Sequence, residues 1–133
     1  MFAAEPPSLR DIESLAAQAV EEIPARLRVH LRDIMMRVED FPDEAICRDL
    51  NLQSPFDLLG LYDGVSLDQK SVADTGGIDK IFLYRRPLLD YWCARGGSLS
   101  QLVRHVLIHE VGHHFGFSDA DMEALEQEAD DSP

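Results

Sequence analysis

The segment that most constrains this chain runs from Ser98 to Asp119. Ser98-Leu99-Ser100-Gln101 is a capping-box pattern. Leu102, Val103, Val106, Leu107 and Val111 then recur at helical spacing, and Gly116 stands where a left-handed residue can end a helix near Phe115. A helix with such an apolar side must be covered by another layer of structure. Its remaining positions carry His105, His109, Glu110, His113 and His114. Gly112 keeps one side of the histidine-bearing turn small. Ser118-Asp119-Ala120-Asp121 is a further cap, opening a short acidic helix to about Asp130.

The rest of the chain supplies the covering elements. Ser8-Leu9-Arg10-Asp11 caps a helix in which Leu9, Ile12, Leu15, Ala16, Ala19, Val20 and Ile23 form one face, and Pro24 stops it. A short helical stretch is expected over 25–30. Ile34, Met36 and Val38 alternate with Met35, Arg37 and Glu39, the pattern of a strand. Residues 42–57 read as an irregular connection with one helical turn around Glu44–Asp49. Leu58-Leu59-Gly60-Leu61-Tyr62 reads as a strand that turns at Asp63-Gly64, and Asp74-Thr75-Gly76-Gly77 as a loop. A third strand is expected over 78–84. Pro87 can open a helix over 88–94, broken by Gly96-Gly97. Helix, strands, then helices make an α+β arrangement.

A length of 133 residues is expected to form one domain, residues 1–133, large enough to bury a core without staples. The formal charge is −13, from 25 acids against 12 bases. Seven of those acids follow Phe117 with no Lys or Arg among them. Nucleic-acid binding draws on cations that neutralise phosphates, so this balance argues against nucleic acid as a partner. Anionic membrane surfaces are disfavoured for the same reason. No apolar run approaches the roughly 18 residues of a membrane span. The first residues, MFAAEPPSLRD, lack a basic start and an apolar stretch, so no secretory signal is visible. Cys47 and Cys93 have no ligand-like spacing and read as reduced, partly buried thiols. A cytoplasmic location is the expectation.

The chemistry lies in His109-Glu110-Val111-Gly112-His113, an H-E-x-x-H pattern. Residues four apart on a helix lie only about 40° apart around its axis, so His109 and His113 project from one face and can hold one metal ion. Glu110 is about 100° round from His109. It can stand near the metal without coordinating it and take a proton from water there. Gly116 reverses the chain three residues after His113, which can return Asp119 as a third ligand. Asp121 lies in the same turn and is the alternative. Two imidazoles and one carboxylate leave a fourth position open, the arrangement of a catalytic zinc rather than a structural one. His105 and His109 also have ligand spacing, but Val106 then falls where a base is needed. His105 reads instead as a supporting or buried polar residue. His114 suits a helix C-terminus electrostatically, and His30 has no evident partner. The acids from Glu123 onward read as a solvated helix face. Met122 reads as core.

The segment resembles the zincin metallopeptidases. Its glycine-containing extension is similar to the metzincin branch, with Asp119 standing where His is usual, as in snapalysin-type sites. With Ile23-Pro24, Val38 to Pro42 and Leu58 to Gly64, the chain resembles a family of small bacterial zincin-like metallopeptidases, also called minimal metalloproteases, over about residues 10–130. The resemblance implies a small zincin-like α+β fold, a few-stranded sheet packed against the active-site helix with flanking helices. It implies His109, His113 and Asp119 as zinc ligands and Glu110 as the general base of peptide-bond hydrolysis. It implies peptide or unfolded protein as substrate, extended along an edge strand. Tyr62, Tyr84 and Arg85 are candidates for a second electrophile. Only 14 residues follow Asp119, too few for a metzincin's downstream Met-containing turn and C-terminal subdomain. Two other readings stay open: a non-catalytic metal-binding module in an assembly, touching its partner through the acidic helix, and a metal-dependent ribonuclease. Ribonucleases with H-x-x-x-H-x-x-G lack a Glu at the position of Glu110, and the charge opposes RNA.

Overall fold

A computed structural model describes residues 5–64 and 78–130. Helix α1 (Leu9–Glu22) begins at a reciprocal cap in which the Ser8 hydroxyl accepts from the Asp11 N–H and the Asp11 carboxylate from the Ser8 N–H. Ile12, Ala16 and Ala19 form its buried stripe, continued by Ile23 just beyond the helix end. A short helix α2 (Ala25–Arg28) runs on into a 3-10 turn over Val29–Leu31. Strand β1 (Met35–Glu39) turns Met36 and Val38 toward the core and Met35 outward, as the alternation requires.

Helix α3 (Glu44–Asp49) is capped by Asp43, whose carboxylate accepts the Ile46 N–H. The sequence suggested no structure between it and the next strand, yet a 3-10 turn forms over Pro55–Asp57 under a Ser54/Asp57 capping box. That turn uses up the residues before Leu58. Strand β2 is therefore Gly60–Asp63 and starts two residues later than the apolar run suggested. Strand β3 is Lys80–Tyr84. Helix α4 (Arg85–Arg95) follows directly, so Pro87 is its third residue and not its opener. The first helical turn has no intrahelical use for an N–H, which is why proline is tolerated there. The expected loop over 74–77 lies outside the described residues.

The sheet order is β1-β3-β2, with β1 parallel and β2 antiparallel to the central β3. Helix α5 (Leu99–Phe115) packs its Val103, Leu107 and Val111 side onto the sheet and α1, around Ile12, Ile81, Leu83 and Leu88. It ends at Gly116 in the left-handed conformation (φ 72°, ψ 31°), with the Phe117 N–H returning to the Gly112 carbonyl. Helix α6 (Asp119–Asp130) then folds back against α5 and buries Met122, Leu125 and Ala129 on Ile108. Met122 is core, as expected. Among the described residues no helix is long and apolar enough to cross a membrane.

Candidate active site

The elements beside α5 define what its histidine face looks onto. On one flank is β2. A Cβ built on Gly60 would stand 2.7 Å from Val106 Cγ1 and 3.5 Å from Glu110 Cγ, so only glycine lets the strand lie this close to the helix. On the opposite flank is α6. A Cβ on Gly112 would stand 2.5 Å from Met122 Cε, so the glycine is what admits that helix. At about 100° per residue, His105, His109 and His113 fall between these two flanks. Consecutive rings are 5.2 Å and 6.3 Å apart, set edge to face. The two H-E-x-x-H histidines thus lie on one stripe of α5 in a cleft between β2 and α6.

Glu110 sits at the β2 side of this stripe with its side chain only 11% exposed. Its carboxylate lies 3.3 Å from His113 Nδ1 and accepts the backbone N–H of Tyr62. Burial pushes its pKa above the ordinary carboxylate range; His113, the Tyr62 N–H and His109 oppose the shift without cancelling it. A carboxyl group with a raised pKa, beside two histidines at ligand spacing, suits a group that takes up and returns a proton.

The two aspartates in the first turn of α6 are placed differently. Asp121 is committed to the cap: its carboxylate accepts the Ser118 N–H at 3.1 Å, and its own N–H donates to the Ser118 hydroxyl at 3.2 Å. Asp119 is exposed. No ion pair or hydrogen bond engages its carboxylate among the described residues. No group of three or more His, Cys, Asp or Glu side chains among the described residues is arranged to hold a metal ion. The structure brings His109, His113 and Glu110 together and leaves Asp119 outside their group, one chain reversal away.

The neighbouring residues have structural partners. His105 is not buried; its Nδ1 is paired with Glu126 of α6. Glu128 pairs with Arg26 at 3.0 Å, and Asp130 pairs with Arg104, which also holds Glu22. The acidic face of α6 is therefore partly a fastening surface. His30 meets the edge of Phe115 at 5.8 Å between ring centroids. Cys47 and Cys93 are free thiols, Cys93 exposed rather than partly buried.

None of the three suggested electrophiles is presented freely to the cleft. Tyr84 is fully buried. Arg85 donates to the Pro7 carbonyl and pairs with Asp40. The Tyr62 ring packs into the core cluster with Ile81, Leu107 and Val111, and its hydroxyl donates to Asp79. Burial and Asp79 hold the Tyr62 phenol well above its ordinary pKa. Sequence reasoning missed Asp79 and the task of His114. His114 is buried at the end of α5, its Nδ1 3.3 Å from Asp79 Oδ2 and 3.2 Å from the Tyr62 hydroxyl.

A small mixed sheet backed by a helix that carries H-E-x-x-H, with Gly116 reversing the chain behind it, is the frame of a zincin-like protein. The sequence model of the family described as zincin-like metallopeptidase matches residues 31–129, and the chain belongs to that family. No curated protein matches the chain.

Proposed function

We propose that the protein is a zinc-dependent peptidase that hydrolyses peptide bonds with Glu110 as general base. The observation that carries this reading is the buried Glu110 carboxylate, held between His113 and the Tyr62 N–H on the same helix as the two histidines. The donor types, two imidazoles and a carboxylate, are those of a catalytic zinc, with Asp119 one chain reversal from the histidines. His109 and His113 offer two imidazoles from one stripe, and Asp119, its carboxylate engaged by no other group among the described residues, is proposed to complete the set. Bound there, zinc would supply Lewis-acid polarisation and a water acidic enough to attack at neutral pH.

The chain's own residues do the rest. Glu110 accepts the proton of the attacking water and returns it to the leaving amine. His113, beside the carboxylate, and the Tyr62 N–H keep it oriented. Strand β2 offers a track for the substrate. Tyr84 N–H donates to the Leu59 carbonyl across the β2–β3 ladder. Pairs alternate in an antiparallel ladder, so the backbone groups of Gly60 and Tyr62 face away from β3. An extended peptide can add to this edge by main-chain hydrogen bonds to Gly60 and the Tyr62 carbonyl, the Tyr62 N–H being held by Glu110, with its scissile bond over the histidine stripe.

The test is a peptide-library digest with the zinc-loaded chain, read by mass spectrometry with and without a chelator. Zinc-dependent cleavage is expected. No cleavage of any peptide, with a stable partner retained in a pull-down, would favour the non-catalytic module instead.

A further inference from the structure

One turn along α5 from Glu110, three polar side chains from separate parts of the chain meet at one point. Tyr62 comes from β2, Asp79 from the residue before β3, and His114 from the last turn of α5. The Tyr62 hydroxyl donates to Asp79 Oδ2 at 3.1 Å. His114 Nδ1 lies 3.2 Å from that hydroxyl and 3.3 Å from the same carboxylate oxygen. The His114 and Asp79 side chains are 4% and 10% exposed. Polar groups buried this deeply destabilise the fold unless paired, and here each meets the other two. The backbone is shaped around them: a Cβ built on Gly64 would stand 2.4 Å from Asp79 Oδ1 and 2.9 Å from the Tyr62 hydroxyl.

The same residue that enters this cluster by its side chain meets Glu110 by its backbone. We infer that Asp79 is a positioning residue for Glu110: with His114 it anchors the Tyr62 side chain, which fixes the edge strand so that the Tyr62 N–H holds the Glu110 carboxylate in the cleft. The inference rests on the hydrolase reading for its consequence in catalysis, but its structural core is independent of it. Asp79 acts through one strand residue that meets Glu110 by its backbone and His114, one turn further along α5, by its hydroxyl.

The test uses the full chain with Asp79→Ala, Asp79→Asn and Tyr62→Phe. Amide hydrogen exchange is followed in the metal-free protein, and kcat and KM in the zinc-loaded one. Tyr62→Phe and Asp79→Ala should each speed exchange of the Tyr62 amide about tenfold, the loss of roughly one hydrogen bond's worth of protection. The Ile81 and Leu83 amides of the central strand should keep theirs. Asp79→Asn, which still offers an oxygen to the Tyr62 hydroxyl, should stay near wild type. In the zinc-loaded chain the two disruptive variants should lower kcat and leave KM unchanged. Unaltered exchange at Tyr62, or equal loss of protection at Ile81 and Leu83, would overturn the inference, the second by reducing the cluster to general stability. If the wild-type chain cleaves nothing, the hydrolase reading fails, and the exchange pattern still decides whether Asp79 holds Tyr62 in place.

Discussion

Ser118 and Asp121 cap the last helix reciprocally, the hydroxyl of one accepting the N–H of the other while the carboxylate returns the bond, at 3.2 Å and 3.1 Å. This divides the labour between two aspartates that spacing alone cannot separate. Asp121→Ala should cost about 1 kcal/mol of stability by removing half of the cap, and leave zinc affinity nearly unchanged. Asp119→Ala should lower zinc affinity about 100-fold or more with little effect on stability. Calorimetric zinc titration and urea unfolding of both variants check the assignment. Zinc loss with Asp121→Ala and not with Asp119→Ala would reverse it.

Gly112 is where α6 meets α5. Alanine is the better helix former by about 1 kcal/mol, so an unpacked glycine here would gain from the change. The new methyl would instead stand 2.5 Å from Met122 Cε, 2.8 Å from its Cγ and 3.0 Å from its sulfur. Met122 packs with Ile108, Leu125 and Ala129 and is only 5% exposed, and the clash reaches its Cγ near the backbone as well as its flexible end. Overpacking of this kind costs about 1–3 kcal/mol, so Gly112→Ala should destabilise overall. It should also weaken zinc binding, because Asp119 rides on the displaced helix. A thermal melt and a zinc titration read the two effects, and a gain in melting temperature would contradict the packing account.

Glu110 gives the metal-free chain a pH signature. Its carboxyl is held above the ordinary value of about 4.3 mainly by burial. The folded chain then binds this proton more tightly than the unfolded one, so its stability falls as pH rises from the ordinary range through the raised folded value. Glu110→Gln cannot lose that proton. The stability of the Gln variant relative to wild type should therefore grow as pH rises from about 4 toward neutrality. Urea unfolding of both proteins without metal, at several pH values, measures this difference. A gap that is constant or shrinks with pH would show that the carboxylate is not penalised in the fold.

Helix α5 and the gathering of His109, Glu110 and His113 on it were legible because each part is local. The Ser98 cap, the apolar spacing, the H-E-x-x-H stripe and the stop at Gly116 lie within one continuous stretch. Helices α1 and α6 were legible for the same reason, each announced by its cap. The sheet order was not, because the parallel pairing of β1 with β3 is chosen by tertiary packing rather than by either strand's pattern. Asp79 was invisible for a related reason. A lone aspartate gains its role only when β2, β3 and the end of α5 converge on it. Glu126, Glu128 and Asp130 looked solvated because their partners His105, Arg26 and Arg104 lie on other helices.

The most direct test of the account compares zinc-loaded wild type and Glu110→Gln on one peptide that the wild type cleaves, with zinc content measured on the same samples. Removing a general base costs about 100- to 10,000-fold in rate. The account predicts a fall of that size in kcat with zinc still bound at one ion per chain through His109, His113 and Asp119. Hydrolysis by Glu110→Gln at the wild-type rate, with equal zinc, would contradict it.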